Sequence, residues 1–259
     1  MFTEEADAVI LTEVNTFWPN VAPHQQWHER IKGQIPQGEK HRFVHNRHGV
    51  PIGTVQYGGV GALALGETRH RLCSTGEDLT GLGRWVWMRY KGKGEHHLRV
   101  VGAYRPNPKG TGDTTVHAQH QKYLLQQDDT RDPQAAFTQD LAKQIKKWSL
   151  MGDQIIVALD ANDDLRDGSV KRMMAHQGLL EALLTRHQAL PTAPTFHMNS
   201  DGKPIDGIFV TEGISLQAGG YSAFHEAVQS PHCAQWMDIS YDTAFGSKLQ
   251  PLHQRRRDG

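Results

Sequence analysis

The stretch Gln154–Asn162, Gln-Ile-Ile-Val-Ala-Leu-Asp-Ala-Asn, constrains this chain more than any other. Its apolar run from Ile155 to Leu159 has the length and character of a short strand buried on both faces. It then breaks into Asp160-Ala161-Asn162-Asp163-Asp164, a cluster too polar to stay inside a core unpaired. Such a segment belongs in the interior of an α/β sheet with its acidic end at the rim. Side chains alternate along a strand, so Asp160 and Asn162 are expected on one side, a pleat apart. A carboxylate and an amide so placed can hold a water or a phosphate oxygen. The same residues equally suit an Asx-rich turn that satisfies loop backbone.

Other strands repeat the arrangement. Ala8–Leu11 runs into Thr12-Glu13, a carboxylate at a second apolar strand end. Leu98–Tyr104 stops at Arg105-Pro106-Asn107-Pro108, where the prolines end ladder pairing. A phenol and a guanidinium at that rim, Tyr104 and Arg105, suit phosphate contacts, or else serve as a turn-stabilising tyrosine and a surface arginine. Pro204–Val210 reads as a strand with Asp206 inside it, an expensive position unless the carboxylate is paired. Ile214–Tyr221 is expected to pair with that strand, and Ser230-Pro231-His232 precedes a last strand at Ala234–Ser240. Val55–Leu65 is glycine-rich and apolar and reads as a bulged strand or a site of close backbone approach. The basic run His41–His48 reads as a solvated edge strand or as the border of a phosphate-binding surface.

Helices are fewer. Pro133–Met151 carries Phe137, Leu141, Ile145 and Trp148 on one stripe, with Pro133 suited to the first turn and Gly152 to the stop. Thr115–Gln127 is a weaker helix, and Ser169–His176 and Leu179–Thr185 are short ones.

Lys plus Arg and Asp plus Glu balance at 28 each, so net charge points to no partner and any nucleic-acid contact must come from local patches. Cys73 and Cys233 lack any CxxC spacing and read as free thiols of a reducing compartment, a single disulfide being the alternative. Neither a signal peptide nor an apolar run near the roughly 20 residues of a membrane span is present. The expectation is an intracellular protein, nuclear or cytoplasmic, away from membranes. Sixteen histidines raise zinc, but the pairs His24/His28, His41/His45 and His117/His120 have no further ligands at zinc spacing. They read as solvated or substrate-facing imidazoles.

The polar residues at strand ends therefore form one set: Glu13, Tyr104, Asp160, Asn162, Asp206 and His232. Oxygen donors dominate it, which fits magnesium better than zinc, and the chemistry is metal-assisted attack of water on a phosphoester. Asp206 is suited to orient His232 and stabilise its imidazolium.

In this order the segments resemble the endonuclease/exonuclease/phosphatase superfamily. Leu11-Thr12-Glu13 resembles its metal-binding "QE" strand, Ala103-Tyr104-Arg105-Pro106-Asn107 its "Y-x-P-N" strand end, and Leu159-Asp160-Ala161-Asn162 its "GDFN". Ile205-Asp206-Gly207-Ile208-Phe209 resembles "D-Y-I-F", and Ser230-Pro231-His232 resembles the terminal "SDH". The likeness spans nearly the whole chain. Each motif is weak alone, and their order makes the set specific. The Tyr-Arg-Pro form and the basic tail are most similar to endonuclease domains of non-LTR retrotransposons.

The resemblance implies a DNase-like four-layer α/β sandwich, two mixed sheets flanked by helices, over residues 1–245, with 246–259 a basic, disordered tail. It implies a DNA-nicking endonuclease leaving 3′-hydroxyl ends, magnesium (or manganese) as cofactor, DNA as partner and a reverse transcriptase encoded downstream. Glu13 would bind the metal, Asp160 and Asn162 would position water and a phosphate oxygen, and Tyr104 would contact the phosphate. His232 paired with Asp206 would stabilise the transition state or act as base, and Arg105 and Asn107 would bind substrate. Two departures are expected to matter. The chain starts after the family's first strand, which would leave a sheet edge open. Pro231 replaces an acid of the metal site, which predicts weakened metal binding and impaired activity. A non-catalytic nucleic-acid-binding remnant and a phosphatase of small phosphoesters are the rival readings.

Overall fold

The computed structural model describes residues 6–31, 39–108, 112–188, 194–197, 202–223 and 230–246; all but the first residue of the basic tail lies outside them. In chain order the first half carries β1 (Ala8–Thr12), α1 (Trp27–Ile31), β2 (Glu39–Val44), β3 (Val60–Leu65), β4 (Leu72–Glu77), β5 (Trp85–Lys91), β6 (His97–Tyr104) and α2 (Val116–Gln126). The second half carries α3 (Pro133–Leu150), β7 (Asp153–Asp160), α4 (Ser169–His176), β8 (Leu179–Glu181), α5 (Ala182–Arg186), β9 (Asp206–Thr211), β10 (Leu216–Tyr221), β11 (Gln235–Ile239) and α6 (Tyr241–Phe245).

Six strands form the central mixed sheet in the order β4-β5-β6-β7-β9-β8, with β6 and β7 parallel and the other pairs antiparallel. Because α3 connects β6 to β7, the parallel pair is the crossover unit that such a connection makes possible. Alternation divides the side chains between two cores. Val101, Ala103, Ile155, Val157, Leu159 and Phe209 face one way, against Phe137, Leu141, Ile145 and Trp148 of α3 and Val170 and Met174 of α4. Each large side chain so buried stabilises the fold by about 1.5–3 kcal/mol before chain entropy is set against it. Asp132 caps α3, its carboxylate accepting from the backbone N–H of Gln134 (2.8 Å) and Ala135 (3.2 Å).

The opposite face packs on a second layer made of two small sheets, β1-β3-β2 and the hairpin β10-β11. Val86, Met88, Val100, Ile156, Ile208 and Val210 meet Val60, Ala62 and Ala64 of β3, with Ile10, Leu216, Met237 and Ile239 packed alongside. The layers approach closely at Gly102, where a Cβ would lie 2.6 Å from Ile10 and 3.0 Å from Val60. Beyond β2, Trp18 and Trp27 pack on Phe43 with ring centroids 5.1 and 5.2 Å away. β1 and β2 are the edges of their sheet, and all of β1 is half-buried.

Two local expectations change, and one strand was unforeseen. β10 pairs with β11 rather than β9, because β9 already lies between β7 and β8. Residues 179–181 form a strand, and only Ala182–Arg186 is helical. The edge strand β4, Leu-Cys-Ser-Thr-Gly-Glu, has no apolar alternation to announce it.

Candidate active site

Register assembles the site. Tyr104 of β6 is the partner of Asp160 of β7, and Asp160 is the partner of Asp206 of β9. All three stand at strand ends, at positions two residues on from Gly102, from Ala158 and before Ile208, so period-two alternation puts them on the face turned to the second layer. That layer supplies Glu13, just past the end of β1, and His232, ahead of β11. One carboxylate oxygen of Glu13, one of Asp160 and a ring nitrogen of His232 lie within 4.8 Å of one another.

The backbone there is unusual. Glu13, Asn15 and Asn162 have left-handed φ angles of 51°, 52° and 44°, a conformation sparsely populated outside glycine. Asn15 is held by Gly58, its N–H donating to the Gly58 carbonyl (2.8 Å) and its Oδ1 accepting from the Gly58 N–H (2.7 Å). Asn162 does not continue the pleat from Asp160. The chain turns, the Asn162 N–H donates to Asp160 Oδ1 (3.1 Å) and its amide nitrogen donates to the Arg105 carbonyl (2.8 Å). The two readings of this stretch thus coexist: an Asx turn, with its carboxylate inside the cluster.

His232 is fixed from two sides. Its Nδ1 lies 2.8 Å from Asp206 Oδ2, leaving Nε2 as the second nitrogen, and Phe196 packs on the ring at 4.8 Å between centroids. Thr195, fully buried, accepts from the backbone N–H of Ile205 and Asp206 through Oγ1 (2.9 and 3.0 Å) and so ties this loop to the Asp206 strand. Sequence reading passed over Thr195 and Phe196, which sit in a polar loop with no periodicity. Burial pulls the His232 imidazole down, but the Asp206 hydrogen bond and the charges of Asp206, Asp160 and Glu13 outweigh it and push the imidazolium up to about 9. The Asp160 carboxyl is driven well above the usual carboxylate range by burial, then by the Asp206 charge, with His232 a partial counterweight. Burial and the adjacent Glu13 likewise raise the Tyr104 phenol.

Arg105 turns to the opposite face. Its guanidinium is buried and donates to the carbonyls of Ala161 (3.1 Å) and Asn162 (3.4 Å), bracing the turn from behind. Asn107 is exposed on the following loop. Pro231 is exposed, and its carbonyl accepts from the His197 N–H (2.9 Å).

A buried carboxylate crowded by two others needs a positive charge. Glu13, Asp160 and His232 form a group, oxygen-rich with one imidazole, in which a divalent metal ion can sit.

No protein-family model matches the chain, and no curated protein matches it in sequence. Solved structures do. The catalytic domain of Xenopus laevis APE2 aligns at a TM-score of 0.62 and 15% identity, over 90% of this chain and 83% of that one. A 3′-5′ exonuclease from Neisseria meningitidis aligns at 0.60 and 13%, over 90% and 89%. An endonuclease/exonuclease/phosphatase protein from Bacteroides vulgatus aligns at 0.56 and 16%, over 90% and 84%. This is the endonuclease/exonuclease/phosphatase fold. The two packed β layers with helices outside the central sheet are its DNase-like architecture, and the Glu13–Asp160–His232 cluster sits at one end of that sandwich.

Proposed function

We propose that this chain hydrolyses phosphodiester bonds in DNA with a divalent cation, magnesium or manganese, as an endonuclease that nicks and leaves 3′-hydroxyl ends. The observation that carries the reading is the convergence of Glu13, Asp160 and His232 within 4.8 Å, with Tyr104 and Asp206 in register beside Asp160. Similarity of fold to a 3′-5′ exonuclease and to the APE2 catalytic domain supports the reaction class. The motif forms at Tyr104-Arg105-Pro106 support an origin in a retroelement, with a reverse transcriptase encoded downstream.

When bound, the cation would be held by Glu13, beside Asp160 and the His232 ring, and would supply Lewis-acid stabilisation of phosphate charge. The side chains do the rest. Asp160, with a raised pKa, takes the proton of the attacking water, and Asn162 fixes the turn that holds it. The His232 imidazolium, oriented by Asp206, and the Tyr104 phenol donate to the non-bridging oxygens as charge builds there. The water oxygen bonds to phosphorus while the bond from phosphorus to the 3′ oxygen breaks, and that oxygen takes a proton from solvent, giving a 3′-hydroxyl and a 5′-phosphate. Pro231 adds no carboxylate, so cation affinity and rate fall below those of a site with one more acid.

Nicking of supercoiled plasmid in magnesium tests this, comparing the parent chain with Pro231→Asp and Asp160→Ala. Nicking by the parent that disappears in Asp160→Ala supports a working nuclease. Cleavage only by Pro231→Asp means a site disarmed at one ligand. DNA binding with no cleavage by either would replace the proposal with a binding remnant, and turnover of small phosphoesters alone would replace it with a phosphatase.

A further inference from the structure

The face of the β1-β3-β2 sheet turned away from the central sheet carries a cleft of about 460 Å³, within the roughly 300–1,000 Å³ of small-ligand sites. Alternation along β2 sends Val44 into the core and puts His41 and Phe43 on the cleft face, with His45 following in the same phase. Phe43 is the floor. It lies across Gly61 of its partner strand, where a Cβ would fall 2.3 Å from the Phe43 ring. Trp18 and Trp27 make the walls, tilted by 53° and 54° to Phe43, and the His41 ring packs on Phe43 at 5.6 Å. Trp18, Trp27 and Phe43 are all only half-buried, so packing does not use up their ring faces.

The chain itself sets the walls. The Gln26 amide donates to the carbonyls of Trp18 (2.9 Å) and Val21 (2.8 Å), tying the start of α1 back to the Trp18 turn, and Phe17 meets the His45 ring edge-on at 5.0 Å. Positive charge borders the cleft. Glu77 accepts from Arg42 (2.7 Å), which lines the cleft, and with its other oxygen from Arg47. One carboxylate thus answers two guanidinia, and the trio keeps a net positive charge. Its field reaches the lining: burial and then the Arg47 charge lower the pKa of His45, against a smaller opposing pull from Glu77. None of the described residues lining the cleft is acidic, and the neighbouring Glu29 faces His28 at 3.6 Å.

We propose that this cleft binds a nucleotide, its base stacked on Trp18, Trp27 and Phe43 and its phosphate toward Arg42 and Arg47. Aromatic faces beside positive charge are the combination by which unpaired nucleotides are held, because every base has a π-face and every phosphate a negative charge. A cationic ligand would meet no carboxylate in the lining. A proline-rich peptide, which also docks on aromatic grooves, would leave the positive charge unanswered. One unit of a single strand and a free nucleotide carry the same chemistry, and the test tells them apart. The cleft shares no residue with the Glu13–Asp160–His232 cluster, so this inference and the nuclease reading stand or fall separately.

The test uses the full chain in EDTA, so that hydrolysis plays no part. Anisotropy of fluorescein-labelled hexathymidylate, with unlabelled dTMP as competitor, compares the parent with Trp18→Phe and Trp18→Leu, whose folding is checked by melting temperature. The parent and Trp18→Phe should bind, whereas Trp18→Leu, which keeps apolar bulk without a ring, should bind about tenfold more weakly. Displacement of the hexamer by dTMP at equal nucleotide concentration assigns the cleft to free nucleotides, and its failure assigns it to single strands; both uphold the proposal. Photocrosslinking of a hexamer carrying 5-iododeoxyuridine needs no variant and should label residues within 17–28 or 41–47. Cross-links only outside those segments, a folded Trp18→Leu that binds as well as the parent, or no binding of either ligand by the parent would overturn it. Binding of a proline decapeptide in place of both nucleotide ligands would overturn it too and reassign the cleft to a peptide.

Discussion

Asp160 and Asp206 are direct partners across the antiparallel ladder of β7 and β9. Like charges opposite one another destabilise a sheet. Here they are treated unequally: Asp206 holds the His232 ring at 2.8 Å, while Asp160 is buried and has only a partial counterweight. The pair is a place where burial and like charge cost stability.

Asp160→Asn should therefore be more stable than the parent in EDTA near neutral pH while losing hydrolysis. The folded-state pKa of Asp160 is raised, so the parent loses stability as pH rises above the ordinary carboxylate range. A gain of about 2 °C or more is expected at pH 7.5, shrinking toward pH 4. Thermal melts across that range check it, and a variant melting below the parent at pH 7.5 would count against the crowding argument.

Magnesium or manganese should raise the melting temperature of the parent, since an ion bound only by the folded chain stabilises it by about 2.7 kcal/mol at one hundred times its dissociation constant. Glu13→Gln should lose most of that shift. Calorimetric titration of each ion into both proteins provides the check.

The His232–Asp206 pair should leave a signature at the alkaline end. With the folded imidazolium raised to about 9 from an unfolded value near 6.5, its stabilisation is fully present below pH 6.5 and is lost as pH rises through 9. His232→Gln should thus be destabilised most at pH 6 and converge on the parent by pH 10 in EDTA. A difference in melting temperature that is constant with pH would refute the pairing.

Arg84 and Asp78 are both about 1% exposed at the side chain and joined at 2.6 Å. Burial pushes the Asp78 carboxyl up, but the Arg84 hydrogen bonds more than offset it and hold it below the usual range. Arg84→Met leaves that buried carboxylate without its counter-charge, with only the Thr80 hydrogen bonds, and should cost about 3–5 kcal/mol in urea unfolding. Adding Asp78→Asn to Arg84→Met should recover part of the loss.

The sequence by itself determined the elements with a strong local period and the residues that break it. The α3 stripe of Phe137, Leu141, Ile145 and Trp148 and the apolar run of β7 are legible because burial imposes a fixed spacing on each element separately. Tyr104, Asp160 and Asp206 stood out for the same reason, as polar groups at the ends of apolar strands. Tertiary structure alone decided how those ends line up. The β6-β7-β9 register, the pairing of β10 with β11 and the left-handed turn at Asn162 depend on which distant segments pack together, and no local pattern encodes a partner. It also turned Arg105 away from Tyr104's face to brace the turn, and brought Thr195 and Phe196 in to hold Asp206 and His232. A strand's period is a property of a few neighbouring residues, whereas its register is a property of the whole core.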